Sequence, residues 1–192
     1  MKRPLKSSLS IIMSLLLFVS CNSKKKLATG GNALKGEVEI KIPCSGPDYS
    51  STLEYFRSNA LGESLDQMTS KKKALSNAKA QLAGDIESKL KVVTDNYIKS
   101  SEFNNKEELL ERFESNARTV INQNLIGIRT ICEKLTKTSE GNYKTYIAIE
   151  LSGESIVASY QETLSKDESL KIDYNHQKFK EIFDAEMDKF NK

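Results

Sequence analysis

Apolar residues recur along this chain with two periods, and the period changes mark the elements. Val38, Ile40 and Ile42 alternate with Glu39 and Lys41, the period of two expected of a half-buried strand, and Pro43-Cys44-Ser45-Gly46-Pro47 closes it. After Tyr55 and Phe56, the run RSNALGESLDQ leads into a long helical pattern. Met68, Leu75, Ala78, Leu82 and Ile86 fall on one face there, and Ala74, Ala78, Ala80 and Ala83 favour helix while letting a neighbouring layer approach closely. The pattern blurs between Val92 and Tyr97, where the helix is expected to fray towards strand. A second helix follows, with Leu109, Phe113, Ala117, Val120 and Ile121 along one side.

Ile126 to Thr138 then reads as a strand, Ser139-Glu140-Gly141-Asn142 as a tight connection, and Tyr143, Thr145, Ile147, Ile149 and Leu151 as a second alternating strand. Ser152 or Gly153 opens a short helix carrying Ile156, Val157, Tyr160 and Leu164. A last amphipathic helix after KDESLKIDY carries Phe179, Ile182, Phe183, Met187 and Phe190. The expected class is α+β: a small sheet, made of an N-terminal strand and a hairpin, packed by amphipathic helices.

The first residues belong to no such element. Lys2, Arg3 and Lys6 precede an apolar run from Leu9 to Val19 and a small residue, Ser20, before Cys21, which is the order of a secretory signal. A run of eleven residues, nine of them apolar, is too short for a membrane span, which takes roughly 20. Phe18-Val19-Ser20-Cys21 resembles the bacterial lipobox, in which the thiol receives diacylglycerol, the chain is cut before it, and the new amine is acylated. Phe18 departs from the Leu usual at that position. The alternative is an ordinary signal peptide with an incidental cysteine. On the lipobox reading, residues 1–20 are a lipoprotein signal peptide, 21–36 a lipidated flexible tether and 37–192 a single domain. One acyl chain binds membranes only marginally and stable anchoring takes two, so a triacylated Cys21 needs no further anchor. Asn22 stands where many inner-membrane lipoproteins carry Asp, and Lys24 to Lys26 replace the acids common after the cysteine of surface-exposed ones. Both features point to the outer membrane, facing the periplasm.

Charge changes its meaning once the signal is removed. Of 29 basic and 26 acidic residues, three basic ones precede Cys21 and no acidic ones do, so 26 of each remain and the mature chain is neutral. A neutral secreted chain is not a nucleic-acid binder. The absence of Trp weakens any case for a sugar-stacking platform.

Two cysteines remain, Cys44 and Cys132, each on or beside an expected strand. They are expected to be small buried hydrophobes. The alternative is a disulfide, since a secreted chain meets an oxidising compartment, and it requires Cα atoms within about 7 Å. His176, the only histidine, stands in the polar stretch DYNHQK and is expected to be solvated, not the base of a nucleophile. One histidine and two separated cysteines cannot fill a zinc shell without carboxylates, SKDESLKIDYN lacks the glycine and terminal Glu of a calcium loop, and Gly30-Gly31 lacks the context of a phosphate loop. Lys71 to Lys73 and Glu107, Glu108, Glu111 and Glu114 read as solvated helix faces. No catalytic residue, cofactor or metal is expected.

Taken in order, the lipobox, a short strand, the lead-in Ala60-Leu61-Gly62-Glu63-Ser64, the helix KKKALSNAKAQLAGDIESKL and the strand TYIAIEL resemble the Lpp-twenty family of small bacterial lipoproteins, named for a twenty-kilodalton Helicobacter lipoprotein, and its Bacteroidota branch in particular. The resemblance spans roughly Val38 to Leu164 and is carried by packing residues. It implies an α+β domain in the cell envelope and brings no catalytic residue with it. The expected function is therefore a lipid-anchored envelope lipoprotein whose non-catalytic domain serves structure or binds an envelope protein. A small-ligand-binding periplasmic lipoprotein is the alternative.

Cys21→Ser should abolish incorporation of a fatty-acid probe and leave a larger, unprocessed precursor. Undiminished labelling of that variant would exclude Cys21 as the acylated residue.

Overall fold

The core is organised by one helix laid unusually close to a strand. In the computed structural model, which describes residues 38–101, 103, 105–167 and 175–191, helix α1 (Gln67–Lys99) runs for 33 residues from an N-cap at Asp66, whose carboxylate accepts the Thr69 amide at 2.7 Å. Its buried residues include an unbroken row with a step of four: Ser70, Ala74, Ala78, Leu82, Ile86, Leu90, Thr94 and Ile98. At 3.6 residues per turn each such step advances the row by about 40°, so the buried stripe winds around the helix. Its small N-terminal members meet a sheet, and its larger C-terminal members meet helices.

That sheet has three antiparallel strands in the order β1 (Tyr55–Ser64), β3 (Tyr143–Ser152), β2 (Arg129–Lys137). Phe56 pairs with Leu151, Ser58 with Ile149, Ala60 with Ile147 and Gly62 with Thr145. Directly paired residues share a face, so these form the side on which α1 lies. Ser58 Oγ donates to the Ala78 carbonyl at 2.7 Å, and the Ser70 and Thr145 hydroxyls are 2.6 Å apart. A β-carbon at Gly62 would stand 2.1 Å from the Ser70 carbonyl oxygen and 2.4 Å from the Ala74 nitrogen, so the helix backbone touches the strand there.

Helices α2 (Lys106–Asn124), α3 (Gly153–Lys166) and α4 (His176–Met187) close the core around the far half of α1. Phe179 of α4 has its ring centroid 5.3 Å from Tyr160, 5.5 Å from Tyr97 and 6.3 Å from Phe113, which joins all four helices in one aromatic cluster. The Tyr160 hydroxyl donates to the Phe113 carbonyl at 2.8 Å. Burial pushes this phenol above its ordinary range, which keeps it a neutral donor.

The chain is α+β, with four helices and a small antiparallel sheet. Four details differ from the reading of the sequence. Val38–Ile42 forms no strand; the first strand lies at Tyr55–Ser64, in the stretch read as a lead-in to the helix. Its inward residues after Phe56 are Ser58, Ala60 and Gly62, because a helix backbone rather than a side-chain layer packs on them, and small residues hide the alternation. Residues Val92–Tyr97 stay helical. The turn Leu125–Gly127 delays β2 to Arg129. Met68 is exposed, its expected place in the buried row being taken by Ser70 and Ala74. The expected signal peptide and tether, with Cys21, lie outside the described residues.

Gly62→Ala should cost about 3 kcal/mol or more, because both obstructing atoms are backbone, while Lys72→Ala on the exposed face of α1 should stay within about 0.5 kcal/mol of the parent. Denaturant unfolding of the two variants checks the close approach. Equal, small effects would contradict it.

Candidate functional site

The opposite face of the sheet is where the polar chemistry gathers. Antiparallel register places Tyr55 and Arg57 of β1, Ala148 and Glu150 of β3, and Arg129 and Cys132 of β2 on the side away from α1. An edge-to-edge polar face would ordinarily be wet, yet Ala148 and Glu150 are buried. What covers them is the strap formed by residues 43–54, which precedes β1.

Cys44 and Cys132 form a disulfide with Cα atoms 5.5 Å apart, fastening the strap to the middle of β2, opposite Ala148. The expectation of two separate buried thiols is thereby corrected. The geometric condition for a bridge is met because Cys132 lies just past a bulge in β2, between Thr130 and Cys132, and so shares the strap-side face. Cys44 holds a left-handed backbone (φ 55°), a conformation that a non-glycine residue keeps only when its surroundings fix it. Bridging a sequence separation of 88 residues removes about 4–5 kcal/mol of chain entropy from the unfolded state.

The rest of the strap is held through Arg57. Ser51 Oγ accepts the Arg57 amide at 3.0 Å and donates to the Arg57 carbonyl at 3.2 Å. The guanidinium reaches the carbonyls of Asp48 and Ser50, both at 3.4 Å. Thr52 and Tyr55 exchange two further bonds, and the Gly153 amide donates to the Glu54 carbonyl at 2.9 Å, tying the strap's end to the start of α3.

Glu150 is the centre of this arrangement. Its carboxylate accepts Arg57 Nε at 2.9 Å on one oxygen and Arg129 Nε at 2.9 Å on the other, with a further short contact from Arg129 Nη2. The Tyr55 ring lies under both guanidinium groups, at 5.6 Å from Arg57 and 5.9 Å from Arg129. Burial alone would push the Glu150 carboxyl up. The hydrogen bonds and charges of Arg129 and Arg57 outweigh it and hold the group below the ordinary carboxylate range. A carboxylate so placed is a fixed anion joining β1, β2 and β3, not a proton donor. Sequence reasoning missed it because Glu150 alternates with apolar neighbours in TYIAIEL, as a solvent-facing residue would.

The remaining candidate residues are dispersed. His176 is the exposed first residue of α4, and its carbonyl accepts a bond from Gln161 at 3.3 Å. Cys132 has its sulfur in the disulfide. Lys71 pairs with Glu133 of β2 at 2.9 Å, and Lys73 donates to the Glu63 carbonyl at 3.1 Å, so two of the three lysines tie α1 to the two edge strands. Glu108 pairs with Arg112, and Glu114 with Lys91 and Arg118. Among the described residues no group of three His, Cys, Asp or Glu is placed to hold a metal ion. SKDESLKIDYN lies largely outside the described residues.

Among the described residues, two surface grooves stand out. One, of about 390 Å³, runs between α1 and α2 with Leu90, Thr94 and Ala117 in its lining and the Lys91–Glu114 and Arg118–Glu87 pairs across it. The other, of about 460 Å³, lies between the end of the strap, α3 and α4. No family model matches the chain, and neither a curated protein nor a solved structure does.

Glu150→Gln should lower stability by about 2 kcal/mol at neutral pH, since charge-assisted bonds to a buried group are worth more than neutral ones. The sign with pH follows from a folded pKa below the unfolded one: the contribution is complete above the unfolded value of about 4.3 and fades as pH falls through the lower folded value. The gap between parent and variant should therefore close below about pH 4 in denaturant titrations. A gap that persists unchanged at acid pH would contradict this assignment.

Proposed function

We propose that this chain is an envelope lipoprotein, anchored through Cys21 in the outer membrane and facing the periplasm, whose domain is a non-catalytic structural or protein-interaction module. The observation that carries this reading is how the strap is used. The polar groups of the strap-side face are spent on fastening the segment that leads from the N-terminus: Cys132 on Cys44, and Arg57 on the Asp48 and Ser50 carbonyls, with Glu150 holding Arg57 in place. A protein tethered through its N-terminus gains from having the N-terminal side of its domain tied firmly to the sheet, and a disulfide suits an oxidising compartment. The resemblance to the Lpp-twenty family supports the same placement.

The chemistry-bearing side chains support a non-catalytic module. The single histidine and the two domain cysteines lie on separate elements, and activation of a cysteine needs a free thiolate near a cation. A second reading, a small-ligand-binding lipoprotein, draws on the two grooves, whose volumes fall within the range of small-molecule sites. It is the weaker reading, because the charged residues of the α1–α2 groove are paired with one another.

His176→Ala, expressed at normal abundance, should complement a strain lacking this protein as fully as the parent does. Loss of function in that variant would overturn the non-catalytic reading.

A further inference from the structure

The two edges of the sheet are treated differently. On β1 the outward backbone is occupied: Ser51 serves both groups of Arg57, Asn77 donates to the Leu61 carbonyl at 3.2 Å, and Lys73 donates to the Glu63 carbonyl. On β2, among the described residues, no side chain hydrogen-bonds the backbone of Arg129–Lys137, and β3 is the only strand it pairs with. Most of β2 is exposed, with Leu135 44% accessible. An open edge of nine residues is a template for another strand.

The same chain carries a segment with the pattern of a strand that pairs with no strand in the described residues. Val38, Glu39, Ile40, Lys41 and Ile42 alternate with the period of a strand, form no ladder, and leave Val38, Ile40 and Ile42 exposed at 87%, 79% and 56%. We propose that the segment Val38–Ile42 of one copy adds to the open edge of β2 in a second copy, reciprocally, making a two-fold dimer with extended sheets. The proposal rests on the interaction-module reading above and names the partner as the chain itself.

Side-chain chemistry matches in register. Leu135 pairs with Thr145, on the α1 side of the sheet, and Lys134 with Tyr146, on the strap side. Laying Val38, Ile40 and Ile42 on the Leu135 side puts Glu39 and Lys41 on the Lys134 side. A register exists in either strand direction that sets Glu39 opposite Lys134 and an apolar residue opposite Leu135. Lys134 on a bare edge repels strands lacking an acid on that face, so it selects for Glu39 as well as guarding the edge. Five paired residues on each side make a small contact, and confinement of anchored copies to one membrane raises their effective concentration.

The test places a photo-cross-linking amino acid at position 40 of the full chain, co-expressed with a differently tagged copy and irradiated in intact cells. The expected result is an adduct containing both tags, with the cross-link mapped to Arg129–Lys137. Glu39→Lys and Lys134→Glu should each reduce that adduct by up to about fivefold, the upper range of a cross-strand charge pair, and the double exchange should restore it to within about twofold. Cross-links confined to a single chain would overturn the dimer in favour of intramolecular closure. Adducts only with other envelope proteins, or no adduct at all, would overturn the dimer while leaving the reading of the domain as a structural or interaction module to be tested separately.

Discussion

The contact on which the rest of the fold depends is the seating of the α1 backbone on β1 at Gly62. With no β-carbon at that position, the Ser70 carbonyl and Ala74 amide lie where a side chain would otherwise stand. The close approach explains why the first buried residues of α1 are Ser, Ala and Ala and why a serine hydroxyl on β1 reaches a helix carbonyl. The step-of-four row winds around α1 by helix geometry, so the far end of α1 turns its large residues towards α2 and α4. The aromatic cluster of Tyr97, Phe113, Tyr160 and Phe179 is the result at that end.

With α1 filling one face, the other face of a three-stranded sheet would be left to water. The strap resolves this with short-range polar bonds and one covalent link instead of an apolar layer. A buried carboxylate is costly unless its oxygens are satisfied, and Glu150 meets that condition with guanidinium groups from both outer strands. Removing either guanidinium would leave part of a buried charge uncompensated, so strap, sheet and ion cluster hold together as one unit. The disulfide joins the start of that unit to β2, which is separated from it in sequence by β1, α1 and α2.

The fixed carboxylate and the paired cysteines fasten the strap to the sheet. The asymmetry between a capped β1 edge and a bare β2 edge gives the domain a defined side from which to meet a neighbour. Envelope anchoring and sheet-edge pairing are separate propositions, the first carried by a sequence pattern and the second by backbone geometry.

The sequence by itself determined the four helices, the hairpin and the α+β class, because each rests on a periodicity contained within one segment. Phe113, Ala117, Val120 and Ile121 share a side of α2 whatever surrounds them, and Tyr143 to Leu151 alternate on their own account. Only the tertiary structure decided which alternating segment becomes a strand, since a strand exists through its pairing: Val38–Ile42 has the better pattern, and Tyr55–Ser64 has the neighbour. The Cys44–Cys132 bridge and the burial of Glu150 were likewise beyond reach, because both depend on the register between segments far apart in sequence. A one-residue slip in that register would turn Cys132 and Glu150 to the other face of the sheet.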